Sequence, residues 1–182
     1  TLTGSTLQLG VAAFAMTASG ASLKSLNGNG IVTAAGSTTS LIVGTNGGSG
    51  TFTGTLINGA GGALSFQKTS TGTQILTNPG NTFTGTTLIN GGVLEVPDLG
   101  AIGQGTGANW FAVQTNGTFR YTGTGTQTST ARDFYWNSGN GTIDVTSATG
   151  NPTFVSTGGD LASGGGTITK MGPGTFTFST AI

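Results

Sequence analysis

Apolar residues recur two apart along the whole chain, each pair separated by one polar or small residue: Leu7/Leu9, Leu41/Val43, Leu64/Phe66, Leu94/Val96, Phe119/Tyr121, Ile143/Val145 and Phe176/Phe178. A period of two buries one face of a strand and leaves the other toward solvent. Between these runs lie turns rich in Gly, Asn and Ser, at residues 46–50, 58–62, 90–92 and 163–166, which supply the positive backbone angles that tight corners need. No helical pattern of useful length occurs. Short strands with frequent turns build sandwiches, barrels or solenoids, and three observations favour the solenoid. The turns are often three to five residues long and lack the two-residue geometry of a meander. The segment TFTGTLING at 51–59 returns as TFTGTTLING at 82–91, as stacked similar coils would. Charge is scarce, and in a parallel stack each side chain sits about 4.8 Å from its equivalent, where like charges repel but Thr, Asn, Val and Phe stack on themselves. The expected fold is therefore all-β, a parallel β-helix filled by Phe and Leu. At roughly 20 to 25 residues per coil it would have about eight coils and a length of about 40 Å.

The two ends of the chain share one motif with its interior. Residues 68–91 run KTSTGTQILTNPGN and then TFTGTTLING; the first half returns at 170–182 as KMGPGTFTFSTAI, and the second at 1–10 as TLTGSTLQLG. Repeat proteins need distinct capping units over their end faces. A chain that opens and closes inside its own repeat is expected to have uncapped ends and to form a single segment, 1–182, of a longer array or a subunit stacking head to tail. In that arrangement Thr1, Leu2, Thr3, Phe176, Phe178 and Ile182 make the end-to-end contact. Its partners are copies of itself or flanking repeats of the same chain, and the contact propagates as a filament because a heterologous interface need not close.

Composition narrows the function classes. Of 182 residues 36 are Gly, none is Cys or His, and five of each charge sign give zero net charge, where average domains are about a quarter charged. With 34% apolar residues the chain departs from the low-hydrophobicity, high-charge signature of disorder; Gly has no period of three and only 4 Pro occur, so collagen is excluded. Zero net charge argues against nucleic-acid binding. No apolar run is long enough for a helical membrane span, and residues 10–16 lack the basic flank of a signal peptide. The sequons at Asn116 and Asn140 are what a Gly/Thr/Asn-rich chain generates by chance.

The segments 63–96 and 164–179, with Lys-x-x-x-Gly-Thr, then alternating apolar residues and, in the first, Asn-Thr-Phe-Thr-Gly-Thr-Thr, resemble the autotransporter-associated β-strand repeat, also called the passenger-associated transport repeat. Looser likeness extends through Leu99-Gly-Ala-Ile-Gly-Gln-Gly, Ala131-Arg-Asp-Phe and residues 141–145, and is weakest over 11–35. Gln74-Ile75 departs from the usual Thr-Leu alternation. The resemblance implies a secreted or cell-surface, right-handed β-helix in a large bacterial protein; the family's translocator barrel has no counterpart in this sequence.

The side-chain inventory excludes most catalysis. Without His or Cys there is no Ser-His triad, thiolate nucleophile or usual zinc site, and no cofactor motif or metal site is expected. Gly-x-x-x-x-Gly-Lys-Ser/Thr is absent, and residues 158–160 are a lone fragment of a calcium nonapeptide that works only in tandem. Five carboxylates remain: Glu95, Asp98, Asp133, Asp144 and Asp160. Alternation points Glu95 and Asp144 outward, and nothing pairs two carboxyls across a groove as a glycosidase requires. Lys68 and Lys170 read as outward strand residues. Aromatic and basic residues concentrate at Trp110, Arg120, Tyr121, Arg132, Tyr135 and Trp136, where flat rings beside Arg suit stacking on surface glycans or a lateral contact; alternatively Phe134 and Trp136 point into the core and only Tyr135 faces outward. The leading expectation is a structural, non-enzymatic segment of an extracellular fibre. An adhesin-type passenger with a glycan or protein ligand, and a degenerate carbohydrate-active enzyme, are the alternatives.

Overall fold

The structure, a computed structural model, describes residues 3–16, 20–105, 110–129, 132–135, 139–156 and 166–180. Among them are nineteen strands and two short 3-10 turns, with no α-helix. A partial turn formed by β1 (Thr3–Leu9) and β2 (Ala13–Met16) precedes β3 (Ala21–Gly28) and β4 (Ile31–Ala34). The following turns are β5 (Thr39–Val43), β6 (Gly50–Phe52) and β7 (Thr55–Ile57), then β8 (Leu64–Thr69) and β9 (Thr73–Leu76), then β10 (Thr87–Asn90), β11 (Val93–Val96) and the 3-10 turn Leu99–Ile102. Above them come β12 (Phe111–Val113), β13 (Gly117–Tyr121) and β14 (Thr126–Ser129), then β15 (Phe134–Tyr135), β16 (Gly141–Val145) and β17 (Asn151–Ser156), and finally β18 (Ile168–Met171) and β19 (Thr177–Thr180).

Every pairing between these strands is parallel, and the strands form the three sides of a solenoid. On the first side stack the second halves of β1 and β3, then β6, β9, β11, β13, β16 and β18; on the second, the first halves of β1 and β3, then β5, β8, β10, β12 and β15. The third side is split into β2-β4-β7 and β14-β17-β19. The break between them has a chemical cause. Pro79 has no N–H to give to a ladder, and the next turn up replaces a strand with the 3-10 turn Leu99–Ile102.

Six complete turns result, flanked by a partial turn at each end, rather than the expected eight. The difference lies at the ends: β1 and β2 reach the second side only through residues 3–5, and β18 with β19 supply two sides among the described residues. Coil length also varies: one coil carries the chain from Ala13 to its stacking partner Ile31, whereas near the other end a distinctly longer one runs from Gly141 to Ile168.

Five of the seven alternating pairs named above are buried on both members. The two that are not, Leu7/Leu9 and Phe176/Phe178, lie in the partial end turns. The lower core is mostly Leu and Val, while the upper core is a run of packed rings, Phe111, Phe119, Phe134, Phe154, Phe176 and Phe178. Side-chain columns follow directly from the parallel register: Leu94, Phe119 and Ile143 stand over one another inside, and Glu95, Arg120 and Asp144 outside.

Candidate functional site

The interior is not wholly apolar, and its polar members concentrate in one stretch. Lys68, Gln74, Asn81 and Thr87 are all buried; the first three bond the backbone of neighbouring coils, and Thr87 bonds the 3-10 turn that closes its own. Gln74 faces a gap left by Gly50 in the coil below and reaches across it: its Nε2 donates to Leu26 O and Gly50 O, and its Oε1 accepts from Leu26 N at 3.1 Å, two coils down. Asn81 sits where the third side lacks a strand. Its Oδ1 accepts from Leu56 N (2.9 Å) below, and its Nδ2 donates to Ala101 O (2.8 Å) above. Thr87 Oγ1 donates to Ile102 O. These side chains make the bonds that a neighbouring strand would otherwise make, and leaving such buried groups unpaired costs about 1–3 kcal/mol each.

Lys68 overturns the expectation of an outward residue. Parity with Leu64 and Phe66 puts it inside, and its Nζ donates to Thr69 O (2.8 Å), Ser70 O (3.2 Å) and Thr71 O (3.1 Å) of its own corner and to Gly91 O (3.4 Å) of the corner above. The corners below and above press on the ammonium through Gly44 and Gly92, where a Cβ would stand 2.7 and 2.6 Å from Nζ. Burial outweighs these carbonyls and pulls the amine down from 10.5 to about 8. The sign of the resulting pH dependence follows from linkage: above about pH 8 the native amine has lost a proton that the unfolded chain still holds, so stability rises with pH toward 10. Denaturant unfolding of the native chain and of Lys68→Met at pH 7.5 and 9.5 should show this rise in the first and its loss in the second. Equal slopes would rule out the assignment.

The described residues among those singled out as a ligand patch are spread over the interior and two sides of the solenoid. Tyr121 is interior, and so is Arg132, whose guanidinium lies 5.0 Å from the centre of the Phe83 ring and donates to Phe83 O and Gly85 O, two coils below. Burial pulls the Arg132 guanidinium down from its usual range. Trp110 and Tyr135 are partly exposed and stack on each other with ring centres 5.0 Å apart. Arg120 belongs to a different side of the solenoid, where its Nε donates to Asp144 at 2.9 Å and its Nη1 to Glu95 at 3.5 Å. Phe134 is buried, as the alternative expectation had it; Trp136 lies outside the described residues.

Three of the carboxylates, Glu95, Asp98 and Asp144, bond within the solenoid wall, and Asp133 is buried. Glu95 and Asp144 do point outward, but as the outer members of an alternating charge column closed by Arg120, which is how the stack tolerates charge. Asp98 accepts from Gly100 N and from Gln127 Nε2, while Gln127 Oε1 accepts from Leu99 N, so the pair clasps the 3-10 turn. Asp160 lies outside the described residues. Among the described residues no group of three or more acidic side chains gathers as a metal site would require.

The remaining feature is the pair of end faces. Leu7 and Phe14 at one end, and Ile168, Phe176 and Phe178 at the other, pack on the core yet are only partly buried. Val11, in the corner between β1 and β2, is 91% exposed. Thr3 opens β1; Thr1, Leu2 and Ile182 lie outside the described residues. The two lysine motifs are not equivalent in the fold. Lys68 ends a second-side strand, whereas Lys170 lies on the first side over the interior residue Ile143, so residues 170–182 and 1–10 together do not reproduce the coil 68–91.

Comparison with known proteins agrees with this architecture. The passenger-associated-transport-repeat family matches residues 66–96, the stretch that carries all four of Lys68, Gln74, Asn81 and Thr87. A curated relative, the adhesin BmaC autotransporter of Brucella suis biovar 1 (strain 1330), is 34% identical over 128 residues, 64% of this chain. The chain spans 4% of that relative's length. No solved structure matches. Residues 66–96 match the passenger-associated transport repeat and are built into a parallel β-solenoid whose coils their inward polar side chains tie together.

Proposed function

We propose that this chain is a structural, non-catalytic segment of a secreted or cell-surface bacterial β-solenoid protein, and that its end faces seat end to end on further turns, so that copies of the chain build a fibre. The observation that carries this reading is the distribution of burial. Among the described residues, the apolar core residues of the six complete turns are buried, and those only partly buried lie in the first and last partial turns. An open solenoid end also presents unpaired backbone donors and acceptors, which recruit another strand.

The columns support end-to-end contact with further turns. Residues 6–9 of β1 and β18 belong to the first side, and β2 and β19 to the third, so further turns set on either end continue these columns in phase. The Brucella relative is named an adhesin autotransporter, which supports the surface location.

Sedimentation velocity across a concentration series, with negative-stain microscopy, is expected to show rods that lengthen with concentration at constant width. A monomer at every concentration would sink the fibre reading. The partly exposed Trp110–Tyr135 stack favours a second role, weak adhesion to glycan or protein from the side of the rod; loss of binding on a glycan array in Trp110→Ala, with rod length unchanged, would support it.

A further inference from the structure

Asn-Gly pairs occur seven times in the chain, opening at Asn27, Asn29, Asn46, Asn58, Asn90, Asn116 and Asn140. In such a pair no side chain on the following residue shields its backbone nitrogen from the asparagine amide, and the flexible glycine lets the two meet. The solenoid restrains six of the seven. Oδ1 of Asn27 accepts from Thr51 N, that of Asn58 from Leu64 N and Thr84 N, that of Asn90 from Gln114 Nε2, and that of Asn140 from Thr167 N. Asn46 and Asn116 have exposed side chains, but both lie in the left-handed region, with φ of 57° and 60°, and the next nitrogen is tied back into the turn, Gly47 N to Gly44 O and Gly117 N to Gln114 O. Asn29 has neither restraint. Its side chain is exposed and makes no hydrogen bond among the described residues, and Gly30 N donates to no carbonyl among them.

We propose that Asn29 is a site of self-modification. Gly30 N, losing its proton, bonds to Asn29 Cγ; the side-chain nitrogen leaves as ammonia, and water opens the cyclic imide to isoaspartate or aspartate. The reaction is independent of any end-to-end contact. Packing keeps the reactive pair in place, because a Cβ at Gly30 would stand 2.3 Å from Ala12 O and 2.6 Å from Gly10 O in the coil below, so no bulkier residue fits after Asn29. The position gives the product its consequence. Asn29 and Gly30 alone form the corner between β3 and β4, and the chain is held on both margins of that corner. Asn29 N donates to Leu9 O at 3.0 Å and Ile31 N to Ala12 O at 3.1 Å below, while Gly28 O accepts from Thr53 N at 2.8 Å and Gly30 O from Thr55 N at 3.0 Å above. Isoaspartate adds a methylene to the main chain inside this corner, so the four bonds cannot all be kept. Aspartate adds only an exposed charge. Either product turns the zero net charge of the chain negative.

Ageing the purified chain in mildly alkaline buffer, folded and in denaturant, with peptide mass spectrometry and isoaspartyl methyltransferase labelling, reads the site directly. Unfolded, the seven pairs are expected to react at similar rates. Folded, Asn29 is expected to keep most of its unfolded rate while the other six slow by about tenfold or more, because reaction there waits on local opening. A second folded pair as fast as Asn29, or Asn29 slowed like the rest, would overturn the assignment. The aged chain carrying isoaspartate at position 29, separated by its added charge, is expected to unfold at lower denaturant than the fresh chain, and Asn29→Asp to unfold with the fresh chain. An isoaspartyl chain that unfolds no earlier than Asn29→Asp would overturn the role given to the corner.

Discussion

Phe154→Ala is expected to destabilise the solenoid by about 4 kcal/mol, within the range for truncating a buried aromatic ring. Phe154 enters from the third side and is the ring on which the upper core converges: it lies parallel to Phe111 at 5.3 Å and meets Phe119, Phe134 and Phe176 at 6.3, 5.7 and 5.8 Å. Those partners come from its own coil and from the coils directly below and above it, so truncation opens a cavity that no single coil can collapse into. In thermal unfolding the loss corresponds to a fall of roughly 10 °C for a chain of this size. Phe154→Leu, which keeps most of the volume, should lose about half as much. A loss below about 1 kcal/mol in Phe154→Ala would mean that the coils above β13 fold and melt apart from those below, as nearest-neighbour stacking permits.

The alternation that defines Leu41/Val43 or Ile143/Val145 needs only parity, and parity is local, so the strands and their inward faces were legible in the sequence. Lys68 shows a local rule set aside: Leu64, Phe66 and Lys68 share one parity, and only the general preference of charge for water argued against burial. That preference failed because the corner at 69–71 offers three carbonyls within reach of a long flexible side chain. Arg132 and Tyr121 were legible as a cluster but not as interior residues. Their neighbours belong to coils one and two turns away, and coils that differ in length, as the Ala13-to-Ile31 and Gly141-to-Ile168 coils do, set a stagger that no local pattern records. The ligand patch failed for the same reason: residues close in sequence at Arg120 and Tyr135 lie on different sides of the solenoid. The Glu95–Arg120–Asp144 column joins residues of three successive coils, and is visible only once the register between those coils is known.

Asn81→Leu is expected to cost about 3 kcal/mol, although Leu is apolar, similar in volume and entering a buried position. Elsewhere in the solenoid the backbone of one coil bonds the backbone of the next. At Asn81 that ladder is interrupted, since Pro79 cannot donate and residues 77–83 form no strand. The side-chain amide substitutes for the absent strand in both directions, accepting from Leu56 N below and donating to Ala101 O above. Leu removes both bonds and leaves a buried N–H and a buried C=O without partners in an apolar surround, at about 1–3 kcal/mol each; better burial of the new side chain returns part of this. Asn81→Asp separates the two halves of the argument. The carboxylate still accepts from Leu56 N but meets Ala101 O with an acceptor, so its loss should equal or exceed that of Leu at pH 7 and shrink as the acid is protonated at low pH. Hydrogen exchange at Leu56 N locates the effect: protection there should fall in Asn81→Leu and persist in Asn81→Asp. An Asn81→Leu chain as stable as the native one would show that the polar side chains of the 66–96 repeat are fillers of the solenoid interior and not the ties between its coils.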